Sequence, residues 1–344
     1  MSTPSTNGVV LVARLDADGD VLLAGPALRW VAAHADRVVL LAGPRGQQAA
    51  RLLPGADDVV VWAAPWIEPA PASAVTQEHV EALVRAVRGQ AVDAAVILTS
   101  FHQSALPLAM LLRLAGVARI GAVSEDYPGS LLDVRVPDPG DIPEAQRACA
   151  VAAACGFGRP AGDDDRLAVR RPLPDTSRLT GPAPYVVLHP GTSVPARAWP
   201  QQRWAETAAL LHGRGTRAVV TGSPAESSLT ASVAAAGGLD LGGHTTLEEL
   251  ADVLDRAEVV VVANTGPAHL AAAVGTPVVS LFAPTVPVRR WAPYGVPGVL
   301  LGDQQAPCRA SRATTCPVPG HPCLSEVTAQ DVVAALDQLR ARAA

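Results

Sequence analysis

The sequence predicts an α/β protein built from two Rossmann-like, doubly wound domains. Three observations predict it. The chain has 344 residues, about twice a common domain length of roughly 100–200 residues. Short runs rich in Val and Leu alternate with helical stretches, as buried parallel strands and their crossover helices do. The alternation lapses once, between about residues 163 and 184, where Asp163, Asp164, Asp165 and the prolines 172, 174, 182 and 184 crowd together. That composition marks an interdomain linker. The expected domains are therefore 1–170 and 184–325. A C-terminal helix over 326–344 is a candidate to pack back on the first domain.

The elements follow in order. Residues 9–15 form an apolar first strand, followed by Asp16-Ala17-Asp18-Gly19-Asp20 and a helical pattern to about residue 33. Further strands are expected at 38–42, 59–62 and 94–98, with helices at 77–87 and 104–114. Beyond the linker, strands are expected at 185–189, 218–221, 259–263 and 278–282. Helices fall between them at 200–212, 224–235, 247–256 and 267–274. The last helix, 328–342, has Thr328 as its cap and Asp331 three residues on. Two such domains leave a cleft between them, and ligands of open α/β sheets bind at the C-terminal strand ends.

Composition narrows the function. Hydrophobic residues make up 49% and charged ones 17%, which supplies cores and excludes a disordered chain. The net charge is -5 and lysine is absent. A nucleic-acid partner is not expected, since neutralising a phosphate backbone needs clustered cations. Residues 1–8 lack a basic stretch followed by an apolar one, so no signal peptide is read. No run of about 18 apolar residues exists, so no transmembrane segment is expected. The expected location is the cytoplasm, with peripheral membrane contact left open.

Four segments carry candidate chemistry. His189-Pro190-Gly191-Thr192-Ser193 follows a strand directly. Gly191 allows close backbone approach, and Thr192 and Ser193 offer donors to a phosphate; a plain loop is the alternative. Asn264-Thr265-Gly266-Pro267-Ala268-His269 joins a buried strand to a helix with Pro267 at its first position. Its unpaired amides and positive dipole end suit an anion. His269, in the first turn, either reaches that anion or is a core histidine. In the acidic loop after the first strand, Asp20 either accepts a proton as a general base or caps the next helix. Arg197 either clamps a departing diphosphate or is a solvated surface cation.

Acceptor-side candidates are Asp18 in the same acidic loop, Trp66 in a Pro-rich stretch and His102 after a strand. Trp66 either stacks on a sugar or lipid or makes a hydrophobic loop contact. His102 either binds hydroxyls or caps a helix. Five cysteines cannot all pair internally. Cys149 and Cys155 read as buried apolar residues of an Ala-rich helix. Cys308, Cys316, His321 and Cys323 offer a zinc set, but without a close C-x-x-C pair, so thiols are the preferred reading and no metal is assigned.

Together the segments resemble glycosyltransferase family 9, the bacterial heptosyltransferases of lipopolysaccharide assembly and their relatives. NTGPAHLAAAVGTPVVSLFAPT, residues 264–285, is close to the family's D-T-G-P-x-H-L-A-A-A-x-G-x-P and L-F-G-P-T. RLDADGDVLLAGPALR, residues 14–29, is similar to its R-L-D-x-x-G-D-x-L-L-x-x-P-A-L-R. HPGTSVPARAWP and Ser223-Pro224-Ala225-Glu226 match as well.

The resemblance implies a GT-B fold and inverting transfer without an obligatory metal or other cofactor. It implies a nucleotide-diphosphate sugar as donor, ADP-heptose first, and a glycan, lipid-linked or small-molecule acceptor. Asp20 matches the catalytic base and Glu226 the residue that holds the nucleoside. Gly191, Thr192, Ser193, Thr265, Gly266 and His269 fall near the diphosphate. Arg197 stands where a lysine is usual, Asn264 where an aspartate is, and Ala283 where a glycine is. Two other readings fit the same segments: a sugar-nucleotide epimerase-like enzyme, and a sugar-nucleotide binder without turnover, suggested by Asn264.

Overall fold

The computed structural model describes residues 8–69 and 71–343. Residues 1–7, on which most of the signal-peptide reading rests, lie outside the described residues. The chain forms two compact units, up to Arg170 and from Arg171.

The first unit is wound around six strands: β1 (Val9–Arg14), β2 (Arg37–Ala42), β3 (Asp58–Val61), β4 (Ala94–Ile97), β5 (Arg119–Val123) and β6 (Val134–Val136). Their order is β3-β2-β1-β4-β5-β6, and every pairing is parallel. The helices are α1 (Asp18–Leu23), α2 (Gly25–Ala32), α3 (Gln47–Leu52), α4 (Gln77–Gly89), α5 (Leu106–Leu114) and α6 (Glu144–Ala154). The single helix expected up to residue 33 is two. Pro26 lacks the N–H that would bond residue 22 and its ring crowds that turn, so the chain restarts as α2 with Pro26 in its first turn.

The second unit repeats the winding: β7 (Val186–His189), β8 (Ala218–Val220), β9 (Gly238–Asp240), β10 (Val259–Ala263), β11 (Val278–Leu281) and β12 (Gly298–Leu301). The order is β9-β8-β7-β10-β11-β12, again all parallel. Its helices are α7 (Ser177–Thr180), α8 (Gln201–Gly213), α9 (Ser227–Ala234), α10 (Leu247–Asp255), α11 (Gly266–Val274), α12 (Val288–Trp291), α13 (Pro322–Ser325) and α14 (Ala329–Ala343). Strand β10, Val-Val-Val-Val-Ala, is wholly buried, as a central parallel strand covered on both faces must be. Thr246 and Glu249 close a capping box on α10. Thr328 and Asp331 make the reciprocal bonds ahead of α14. Such a cap stabilises a helix by about 1 kcal/mol.

The C-terminal helix and the Pro-rich segment each have definite partners. Helix α14 places Val332, Val333, Leu336 and Leu339 in the second unit's core, with Trp204 and Leu211 of α8. That face of the helix is packed within the second unit. The Pro-rich linker is also tied down along its length. Asp163 accepts twice from Arg29, and Arg170 donates to Leu53 and Ala56 in the first unit. Arg171 pairs with Asp255, and Thr176 with the buried Asp252, in the second.

Candidate active site

Identical winding puts a switch point in each sheet, where the strand order reverses: between β1 and β4, and between β7 and β10. Crossovers leave in opposite directions there, so the loops splay and open a crevice at the C-terminal strand ends. Most of the sequence candidates lie on the loops at these two places, with Trp66 after β3 and Glu226 after β8.

In the second unit the loop after β7 carries Gly191, Thr192 and Ser193, and the loop after β10 carries Asn264 and Thr265. Gly191 lies close against Glu226: a Cβ there would lie 2.1–2.4 Å from the carboxylate atoms of Glu226 and would displace them. Glu226 is itself fixed, its Oε2 accepting from Ser223 N and Oγ at 2.8 Å each. The Thr192 hydroxyl accepts from Val194 N at 3.2 Å, closing a turn, and Ser193 is exposed.

Helix α11 begins at Gly266 after an extended Thr265, and ends on left-handed Gly275 (φ 92°). Pro267 is thus its second residue, one later than the sequence suggests, and still within the turn whose amides have no helical partner. Arg197 ends a 3-10 turn and donates to the main-chain carbonyl of Asn264 at 3.2 Å. It joins the two switch-point loops. His269 is buried, and its Nδ1 has no hydrogen-bond partner. Burial, with Arg197 adding to it, pushes the imidazole down to about 4, so it is neutral at pH 7. Amides, a helix N-terminus, a guanidinium and a neutral imidazole therefore converge on one spot, the donor set an oxyanion calls for.

Asn264 departs from the family pattern, and its side chain has a definite use. Its Oδ1 accepts from Ala283 N at 3.2 Å and its Nδ2 donates to Ala283 O at 3.4 Å. The amide clamps the end of β10 to the chain after β11 in a way a carboxylate cannot, because a carboxylate only accepts.

In the first unit Asp20 lies in the first turn of α1. The N-cap position is Ala17, which makes no side-chain cap bond, so capping at that position does not explain Asp20. Its Oδ1 accepts instead from Arg14 Nη2 at 3.0 Å. Asp18 accepts from Ala49 N at 3.0 Å, holding the first turn of α3. Burial raises its pKa. Trp66 tilts against Trp62 with ring centroids 5.5 Å apart and lines a small pocket with Ile97, Leu98, Thr99, Gln103 and Leu108. His102 is exposed and edge-on to Phe101. Helix α5 has Ala105 at its N-cap position, so His102 does not occupy the cap.

Sequence reasoning assigned no role to Arg14, Ser100, Gln103 or Glu144, all at the first switch point or on α6. The available signal was Arg14 itself, a lone cation ending an apolar strand. Cys308 and Cys323 are buried in the second unit's core and Cys316 is half-buried. No group of three or more His, Cys, Asp or Glu able to hold a metal ion occurs among the described residues.

The fold agrees with solved structures. A glycosyl transferase family 9 protein of Veillonella parvula DSM 2008 superposes with a TM-score of 0.77 at 18% identity, over 98% of each chain. E. coli heptosyltransferase WaaC, solved with ADP-2-deoxy-2-fluoro heptose, gives 0.70 at 22% identity, over 96% of this chain and 99% of that one. The architecture is that of the GT-B glycosyltransferases, two doubly wound parallel sheets with flanking helices. The model for glycosyltransferase family 9 (heptosyltransferase) matches residues 80–321. The chain belongs to glycosyltransferase family 9. An Escherichia coli lipopolysaccharide heptosyltransferase 3 is 31% identical over 164 residues, 45% of this chain and 46% of that protein. The match thus spans about half the length of that curated relative.

Proposed function

We propose that the chain is an inverting glycosyltransferase that moves a sugar, heptose first, from a nucleoside-diphosphate donor to an acceptor hydroxyl. The observation that carries this is the second switch point, where Gly191, Arg197, the α11 N-terminus and His269 meet. A leaving diphosphate needs amides and a cation to take up charge as the glycosidic bond breaks. Thr192, Ser193, Asn264, Thr265 and Gly266 belong to the same loops, and Glu226 is assigned a ribose hydroxyl. Asp20 is assigned the acceptor proton, and Arg197 the departing charge. Asp18, Trp66 and His102 stand on the acceptor side; of these Asp18 already serves α3, and Trp66 has the better position to stack on an acceptor.

ADP-heptose is the donor of choice, because the neighbouring E. coli enzyme carries an ADP-heptose analogue and family membership points the same way. No cofactor enters this reading. The acceptor is a glycan, a lipid-linked sugar or a small molecule. Among the described residues no helix is long and apolar enough to cross a membrane. The proposal places the enzyme in the cytoplasm, since charged nucleotide sugars do not cross bilayers unaided.

Two measurements test it. Calorimetry with ADP, UDP and GDP is expected to show ADP binding, unaffected by EDTA. Asp20→Asn is expected to lower transfer from ADP-heptose by about 10²–10⁴-fold, the usual worth of a general base, with ADP affinity kept. Full transfer by that variant removes Asp20 as base. Acceptor-independent turnover of the donor would favour the epimerase-like alternative.

A further inference from the structure

Arg14 is the last residue of β1 and is almost inaccessible, its side chain 4% exposed. Three carboxylates surround it. Nε lies 2.9 Å from Asp16 Oδ2, Nη2 donates to Asp20 Oδ1 at 3.0 Å, and Nη1 lies 3.9 Å from Glu144 Oε2. Nη2 also donates to Ser100 Oγ at 2.9 Å, from the loop after β4. Asp16 in turn accepts from Gln103 Nε2 at 2.6 Å and feels His102. On α6, Arg147 is a second cation, 3.5 Å from Asp138 and bonded to Thr99 O.

Burying such a cluster is a poor route to stability, because desolvating each ion costs several kcal/mol that Coulomb attraction only partly returns. Its exposure pattern points elsewhere. The side chains of Arg14, Asp16 and Glu144 are 4%, 11% and 2% accessible, while that of Asp20 is 26%. Asp20 is the accessible end of a buried network centred on one guanidinium. Arg14 reaches both loops of the first switch point at once, the loop after β1 through Asp16 and the loop after β4 through Ser100. It is therefore a rigid reference for any group placed between them.

We propose that Arg14 is a positioning residue for transfer: it grips one oxygen of Asp20 and so fixes the direction in which that carboxylate meets the acceptor hydroxyl. The inference rests on Asp20 being the base. A base works only if held near its productive geometry, and a displacement of about 1 Å lowers turnover on the order of 10²-fold.

The test is a double-mutant cycle on the full chain with ADP-heptose as donor. Arg14→Met is expected to lower kcat about 10–100-fold, leaving the donor KM and the ADP Kd within about twofold. Arg14→Lys is expected to recover part of that loss. In the Asp20→Asn background, Arg14→Met is expected to add no further loss of residual turnover. Should Arg14→Met fail to fold, Arg14→Met/Asp16→Asn removes a buried anion with the cation and carries the same measurement. Wild-type kcat in folded Arg14→Met, or a loss that multiplies with that of Asp20→Asn, overturns the inference while leaving Asp20 as base. Full transfer by Asp20→Asn alone overturns the base assignment instead.

Discussion

Replacing Asn264 with the aspartate usual in the family should destabilise the second unit. The residue is 6% exposed, and its side-chain oxygen and nitrogen both pair with Ala283. An aspartate keeps the bond from Ala283 N but turns an acceptor oxygen toward Ala283 O, formerly 3.4 Å from a donor. Leaving buried acceptors in opposition costs about 1–3 kcal/mol. The carboxyl can relieve this by keeping its proton, so its pKa rises in the folded state. At 1.36 kcal/mol per pKa unit, about 2 kcal/mol corresponds to a rise of roughly 1.5 units above an unfolded value near 3.9.

The sign follows. Between those two values the folded state binds more protons than the unfolded one, so the penalty is absent below about pH 4 and complete above about pH 6. For a unit of this size it lowers Tm by about 4–8 °C. Thermal unfolding of wild type and Asn264→Asp at several pH values reads the gap between them, which cancels effects common to both. A gap that does not widen with pH, or a variant more stable at pH 8, would refute the reasoning. The latter would mean that Arg197, already bonded to the Asn264 carbonyl, had taken the new carboxylate as its partner.

Other outcomes follow from the same geometry. Gly191→Ala sets a methyl against the Glu226 carboxylate and should weaken ADP binding by at least about tenfold, as calorimetry would show. His189 and His269 are both pushed down to about 4 by burial. The unfolded chain therefore takes up protons before the native one does, and stability should fall as pH drops from about 6.5 toward 4. Denaturant titrations should show His269→Gln flattening that decline; an unchanged slope would exclude a buried neutral imidazole. Burial raises Cys149 and Cys155 to about 12 and Cys323 to about 11. Native alkylation at pH 8, read by mass spectrometry, should leave these three unmodified.

The central strands were legible because a strand buried on both faces leaves a run such as Val259–Ala263, which little else produces. The edges were not. Strand β9 is three residues of partial burial and β12 alternates exposed and half-buried positions, so neither carries a run to notice. The helix after β1 was legible as apolar periodicity, but that periodicity runs on through Gly25-Pro26 and hides the break there. At the second switch point the loop sequence reveals backbone that comes close, through Gly191. The contacts that make it a site, such as Arg197 on Asn264, link residues 67 apart, and local pattern carries no trace of them. Asp18 and Asp20 look alike in sequence and separate only in three dimensions, one holding α3 and the other held by Arg14.

Helix α14 has a further consequence, for the order in which the chain acquires its structure. Domains tend to fold as units during synthesis, earlier ones first. The first unit's core is complete by Arg170, so it can condense while the ribosome is still translating. The second unit cannot, because Val332, Leu336 and Leu339 line its interior. Until α14 emerges, the half that carries the proposed donor site exposes the apolar flank of its sheet. Premature termination ahead of α14 would then leave a folded first unit joined to an open, aggregation-prone second one, and the proposed nucleotide binding would begin only once α14 is in place.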